Sequence, residues 1–263
     1  MPMSAVRTAG PDHPAAEIRP GVFRPDWSSV NSPAARDALA GRMAARSGLL
    51  EAWAHPLSRD EDQVWQSVLR LYAEQGCPPL PGDIAATTGI AEGPVRAVLQ
   101  SLQFRDLLGL EPATETIRYA YPFSQSATGH RVFLRGRSLN ALCAIDALGA
   151  GAMYGMDVEI ESSCRACGEP VRVATTSEGR KVPSATPSEA VVWYDFAYEG
   201  GAAASCCRTT AFFCSHGHLR RWLTGRSQRH DGLALTLNEA LEVAGAIFGP
   251  IFSEPVRPGN ARV

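Results

Sequence analysis

Residues 78–108 read PPLPGDIAATTGIAEGPVRAVLQSLQFRDLL, and this stretch decides how the N-terminal half of the chain is expected to fold. Pro81 suits the first turn of a helix, where its missing N–H costs nothing, and Gly89 suits a left-handed stop. The pattern predicts a short helix over 81–88, a turn at Gly89, a second helix over 92–104, and extended segments near 107–110 and 116–123. Upstream, Ser58-Arg-Asp-Glu61 forms a capping box before Val64, Val68, Leu71 and Tyr72, so a helix over about 59–75 precedes the pair. Helix, helix-turn-helix and extended pair together give the order of a winged helix-turn-helix. Between Pro81 and Arg105 the charges are Asp83, Glu92, Arg96 and Arg105, which cancel. A recognition helix needs a basic face for phosphate contact, so this unit reads as a scaffold and nucleic acid is not an expected partner.

Outward toward the N-terminus, residues 1–32 carry Pro2, Pro11, Pro14, Pro20 and Pro25 with little periodic hydrophobicity, and read as a loosely ordered arm without chemistry. Leu39, Met43, Leu49, Leu50 and Trp53 fall near helical spacing with a break around Ser47 and Gly48. One or two amphipathic helices are therefore expected to cover the domain that follows. Toward the C-terminus the texture changes after Arg131. A helix is expected over 138–149, strands over 157–162, 171–175 and 189–196, and helices near 216–224 and 236–248. Strands and helices mix without βαβ regularity, which predicts the α+β class: a small winged-helix-like helical domain followed by a mixed α+β catalytic domain. The divisions fall at 1–57, 58–125 and 126–263.

The 263 residues carry a formal net charge of −2 with 45% hydrophobic and 20% charged residues, an ordinary globular balance with no global pull toward polyanions. The N-terminus lacks the apolar run of a secretory signal, and no apolar stretch reaches the roughly 18–20 residues of a membrane span. A cytoplasmic protein is expected, with its seven cysteines as reduced thiols rather than a disulfide framework.

Those cysteines carry the chemistry. In Ser138-Leu-Asn-Ala-Leu-Cys143-Ala-Ile-Asp146-Ala-Leu148 a thiol and a carboxylate stand three residues apart, and on a helix they would share one face. A carboxylate there can take the thiol's proton and, if desolvated, return it later; the plainer alternative is a buried cysteine beside a locally paired aspartate. Cys164-Arg-Ala-Cys167-Gly168 is a knuckle that, with Cys206, Cys207, Cys214, His216 and His218, invites a zinc reading, although the second half lacks the CxxC of a regular zinc ribbon. Cys206 and Cys207 precede the β-competent Thr209-Thr-Ala-Phe-Phe213, so one thiol should face a pocket and its neighbour the opposite side. His216, His218 and His230 read as surface or helix-cap residues, and His130 as an ordinary loop residue.

Taken together, three stretches resemble the alkylmercury lyases, the organomercurial lyases of bacterial mercury resistance. They are Leu139 to Leu148 around Cys143 and Asp146; Ser162-Ser163-Cys164 with Gly168-Glu-Pro-Val171; and Ser205-Cys-Cys207 with Phe212-Phe213 and Ser215. Trp222, Gly232-Leu233 and Glu239-Ala240 continue the last match. The resemblance covers about 138–248, and the family's winged-helix-like N-terminal domain corresponds to about 59–125.

It implies that Cys143, Asp146 and Cys207 are the catalytic residues and the contacts to mercury. Cys207 is preferred to Cys206 because the alignment on the phenylalanine pair needs no gap. It also implies that Cys164 is structural. Asn140 and Leu142 stand where a better-known member has aromatic residues, so the wall facing the organic group is expected to differ. Soft thiolates suit a soft metal. The implied reaction is protonolysis of the carbon–mercury bond by Asp146, giving a hydrocarbon and Hg(II) held by two thiolates. No cofactor is called for beyond the mercury that arrives with the substrate and stays as bound product. The expected partners are an organomercurial, small cytosolic thiols and a mercuric reductase, with no membrane. Two rival readings are a winged-helix metal-responsive regulator and a zinc- or thiol-binding relative of the lyase fold.

Overall fold

The computed structural model describes residues 25–53, 55–225 and 231–252. Most of the expected N-terminal arm, and His230, lie outside them. Ser32 caps the first helix, α1 (Pro33–Ala45), by accepting from the Ala35 amide at 3.3 Å, and Pro33 occupies the first turn. A second helix, α2 (Ser47–Ala52), follows at once, the break falling at Arg46. α1 lies on the helix at Leu237–Phe248, where Glu242 accepts from the Asn31 and Ser32 amides, each at 2.8 Å, while just past α2 the Trp53 indole donates to the Arg105 carbonyl of the following domain at 2.8 Å.

The capping box forms as expected and opens α3 (Arg59–Gln75): Ser58 Oγ accepts from the Glu61 amide at 3.2 Å while Glu61 Oε2 accepts from the Ser58 amide at 2.7 Å. Helices α4 (Pro81–Thr88) and α5 (Glu92–Phe104) match their expected bounds, and Gly76 and Gly89 end α3 and α4 in the left-handed conformation. Arg96, the arginine of the turn-following helix, is paired with Glu92 at 2.6 Å, one turn away.

Strands β1 (Leu108–Leu110), β2 (Ile117–Ala120) and β3 (Phe123–Ser124) come next, Pro122 dividing what the sequence suggested was one extended segment. They do not stand alone. With β4 (Arg131–Leu134), β5 (Arg137–Ala141), β6 (Glu159–Ser163), β7 (Pro170–Thr176) and β8 (Lys181–Thr186) they build one eight-stranded antiparallel sheet in the order β1-β2-β3-β5-β4-β6-β7-β8. A second sheet has three strands, β9 (Val191–Asp195) between β10 (Ala211–Phe213) and β11 (Gly232–Thr236). The helices among these strands are α6 (Ala144–Tyr154), α7 (His216–Thr224) and α8 (Leu237–Phe248). The class is α+β.

The helix expected over 138–149 starts later. Residues 137–141 form β5, whose Leu139 and Ala141 are buried in the two-residue alternation of a strand, and pairing with β4 and β3 outweighs their helical spacing. Helix α6 buries nine of its 11 residues. It approaches its neighbours so closely that a Cβ at Gly149 would lie 2.2 Å from the Phe248 ring and one at Gly151 would lie 2.8 Å from the Gly179 backbone. A single apolar core joins Val30 to Ile251. Among the described residues no helix is long and apolar enough to cross a membrane.

His130, expected in a loop, is buried, its Nδ1 2.8 Å from Ser162 Oγ and its ring against Phe212. Burial, with Arg165 adding repulsion, lowers its pKa from 6.5 to about 4. The neutral ring is therefore favoured in the folded state, and its stabilising effect, complete above the unfolded value, is lost as pH falls through 6.5 toward about 4. The loss amounts to roughly 3 kcal/mol. Urea midpoints measured across this range should fall more steeply for the native chain than for His130→Gln; parallel profiles would refute the assignment.

Candidate active site

Strand β5 delivers the chain to α6 without a loop. Leu142 donates to the Pro122 carbonyl at 3.0 Å, and Cys143 then stands fully extended (φ −151°, ψ −178°) as the N-cap of α6. Asp146 is the third residue of that helix. The two side chains thus do not share a helix face, as the sequence suggested. They meet because an N-cap side chain turns back over the third residue, where the first amides of a helix lack partners.

The other half of the site is a loop held from a distance. Asp106, in the turn after α5, accepts from the Tyr121 and Tyr198 hydroxyls at 3.0 Å each and from the Ala202 amide at 2.9 Å, while Tyr121 Oη accepts from the Ala203 amide at 2.8 Å. The loop so fixed ends in a 3-10 turn, Cys206–Arg208, not in a strand. Cys207 Sγ donates to Asp146 Oδ2 at 3.7 Å and Cys206 Sγ accepts from Arg46 Nη2 at 3.0 Å, yet both residues line one cavity, so the pair does not split between a pocket and the opposite side as strand alternation would have it. Cys143, Asp146 and Cys207 bring one potential ligand atom each to within 4.8 Å of one another.

Burial governs their protonation. It pushes the Cys143 thiol up to about 11, against the opposing hydrogen bond with Cys207, and it pushes the Asp146 carboxyl up to about 7, against hydrogen bonding to Cys143. Hydrogen bonds to Cys143 and Cys206, together with burial, hold Cys207 protonated well above the ordinary thiol range. Cys206 alone is lowered, to about 6, by the hydrogen bond from Cys207 and, despite burial, by the Arg46 and Arg42 guanidiniums.

These groups open onto a cavity of about 70 Å³ whose apolar wall includes Trp53, Trp65, Tyr194, Ile247 and Phe248. Neither Asn140 nor Leu142 lines it; the aromatic wall comes from other elements. Arg46, Trp53, Asp106 and Tyr121 are the site residues that sequence reasoning missed. Nothing local could have found them, because Arg46 meets Cys206 across 160 residues and Asp106 meets Tyr198 across 92. His218, expected at the surface or in a cap, instead sits with Nδ1 2.9 Å from Cys214 Sγ, part of a second thiol cluster beyond β10.

Two thiols and a raised carboxyl beside an apolar wall make a candidate thiol-based enzyme site in an α+β fold, with a donor set that suits a soft electrophile. Comparisons with known proteins place the chain in a family. The alkylmercury lyase (MerB) family model matches residues 123–249. The alkylmercury lyase of Staphylococcus epidermidis is 33% identical over 192 residues, covering 73% of this chain and 83% of that protein. That of Bacillus cereus is 31% identical over 179 residues, covering 68% and 77%. Among solved structures, the mercury-bound form of MerB2 superposes with a TM-score of 0.66 at 25% identity, over 81% of this chain and all of that one. The chain belongs to the alkylmercury lyase family.

The Asp106 anchor can be checked apart from any reaction. Asp106→Ala strips the acceptor from two tyrosines and one amide, and should lower stability by about 2–3 kcal/mol. Amide exchange should accelerate across 198–208 while α3 stays protected; unchanged exchange in that loop would show that it is held by something else.

Proposed function

We propose that the chain cleaves the carbon–mercury bond of organomercurials by protonolysis at Cys143, Asp146 and Cys207. The observation that carries this reading is the convergence of two thiols and one raised carboxyl within 4.8 Å at the buried start of α6. Asp146 accepts the Cys143 proton, and the thiolate displaces the ligand on R–Hg to form a sulfur–mercury bond. Cys207 adds as the second sulfur, its proton leaving with the displaced ligand. Two sulfur donors raise electron density on the metal-bound carbon, and Asp146 delivers its proton there. The carbon–mercury bond breaks with its electron pair going to the new carbon–hydrogen bond. Hydrocarbon departs, and Hg(II) remains on Cys143 and Cys207 beside Asp146 until small thiols or a mercuric reductase take it. Mercury enters and leaves as Hg(II), so no redox partner is needed.

The cavity supports this reading because its wall of Trp53, Trp65, Ile247 and Phe248 suits the organic group. The paired Arg96 on α5 weighs against the regulator reading, since it leaves that helix without a free cation for phosphate.

Hydrocarbon release from methyl- and phenylmercury in excess thiol tests the proposal. Cys143→Ser, Asp146→Ala and Cys207→Ser should each slow release by at least about 10²-fold, the usual worth of a positioned proton donor. Cys206→Ser should keep most of it. Release by Asp146→Ala at near the native rate would eliminate the proton-delivery role, and binding of mercury without any hydrocarbon would reduce the protein to a thiol sponge.

A further inference from the structure

A second group of metal-ligand side chains stands apart from the proposed catalytic one. Cys164, Cys167, Cys214 and His218 bring three sulfurs and one imidazole nitrogen within 4.8 Å of one another. From this geometry we propose a structural zinc site with these four ligands, clamping the β6–β7 hairpin to the far end of β10.

The spacing of the atoms is that of a tetrahedral cage. Two sulfurs bound at about 2.3 Å to a tetrahedral zinc stand about 3.8 Å apart. Cys167 Sγ and Cys214 Sγ are 3.8 Å apart, and Cys164 Sγ is 3.8 Å from His218 Nδ1. The shorter separation, Cys214 Sγ to His218 Nδ1 at 2.9 Å, must open by roughly half an ångström to admit the ion, within reach of a side-chain adjustment at the start of α7. Three thiolates with one histidine are a zinc donor set, and four protein ligands leave no position open for substrate, which marks the site as structural.

The backbone is shaped for it. Cys164 lies just past the end of β6; its amide donates to Glu169 O at 2.7 Å and its carbonyl accepts from Gly168 N at 2.8 Å, closing a tight Cys-x-x-Cys-Gly turn in which Gly168 takes the left-handed φ of +77°. The amides of Cys214, Ala166 and Cys167 point at Cys164 Sγ, an arrangement that suits a sulfur carrying negative charge. Across the gap, the Arg165 amide donates to Phe212 O at 3.0 Å, tying the knuckle to β10, and Ser215 Oγ accepts from the His218 amide at 3.3 Å, fixing the ligand's helix. The sequence hid the set because the ligands read C-x2-C and C-x3-H with 46 residues between, and because Cys206, Cys207 and His216 compete for the same pattern. Cys206 and Cys207 precede β10, while Cys214 follows it. A metal here would join the eight-stranded sheet to the three-stranded one at the strand that follows the Cys207 turn.

The full chain, purified reduced and without added metal, should carry about one zinc per chain. Cys167→Ser and His218→Ala should drop this below about a tenth, whereas Cys143→Ser, Cys207→Ser and Cys77→Ser should retain it. Cobalt exchanged for zinc should show the intense visible bands and thiolate charge-transfer absorption of a tetrahedral site with three sulfurs. His218→Cys, which keeps four ligands, should still bind and should shift those bands toward a four-sulfur spectrum. That variant guards against His218→Ala losing metal merely by misfolding. A native chain that binds neither zinc nor cobalt after full thiol reduction overturns the proposal, as does metal that persists in Cys167→Ser and His218→Ala but vanishes in Cys143→Ser.

Discussion

The first amides of a helix have no partners of their own, and at α6 they are drawn away from bulk water, because nine of its 11 residues are buried. This buried helix start is the constraint around which the site is arranged. A thiol placed there feels two opposed effects. The helix dipole favours the thiolate by about 0.3–1 kcal/mol, or up to about 2 in a partly buried geometry. Desolvation works the other way, and the rise of Cys143 to about 11 from 9.0 corresponds to roughly 3 kcal/mol. Desolvation wins, so the thiol keeps its proton until something better than water replaces it. A soft metal ion is such a replacement, and the proton it displaces has the Asp146 carboxyl within 4.8 Å to receive it.

That arrangement works only if the second thiol is held against α6, and the loop bearing it has little regular structure. Asp106 supplies the missing order: one carboxylate gathers two tyrosines and a backbone amide from segments distant in sequence. Arg46 does the same from the junction of α1 and α2, reaching Cys206 and lying over the Tyr198 ring at 5.0 Å. Because α1 is itself fastened to α8 through Glu242, the helices ahead of the capping box form part of the cavity wall and not an appendage.

Elements whose signals are local were legible in the sequence. The Ser58–Glu61 capping box, Pro81, Gly89 and the apolar spacing of α3 and α5 each depend on residues within a turn or two, and the helices fall where those residues place them. Strand β5 was misread because Leu139, Ala141 and Leu142 fit either period, and only pairing with β3 and β4 decides between them. Strand β8 was missed for a related reason. It is an edge strand with exposed residues and an internal Pro183, so it carries no alternation to detect. In the site, residue types near one another in sequence could be nominated, but their partners could not. Cys206 and Cys207 are adjacent and chemically identical; what separates them is a guanidinium from residue 46 on one and a carboxyl from residue 146 on the other.

That separation bears on the proposed reaction. Alkylmercury held by two thiolates carries one net negative charge, and the complex becomes neutral once the proton reaches carbon and the hydrocarbon leaves. Arg42 and Arg46 both line the cavity, and Arg46 Nε has no hydrogen-bond partner among the described residues. Among buried groups a fixed positive charge acts more strongly than it would in water. The guanidiniums therefore favour the anionic dithiolate complex over forms in which a thiol has kept its proton, offsetting part of the desolvation that holds Cys143 and Cys207 protonated. They exert this effect from beside Cys206, without neutralising Asp146 by direct contact, and so leave the carboxyl near 7, where it can both take a proton and give it back.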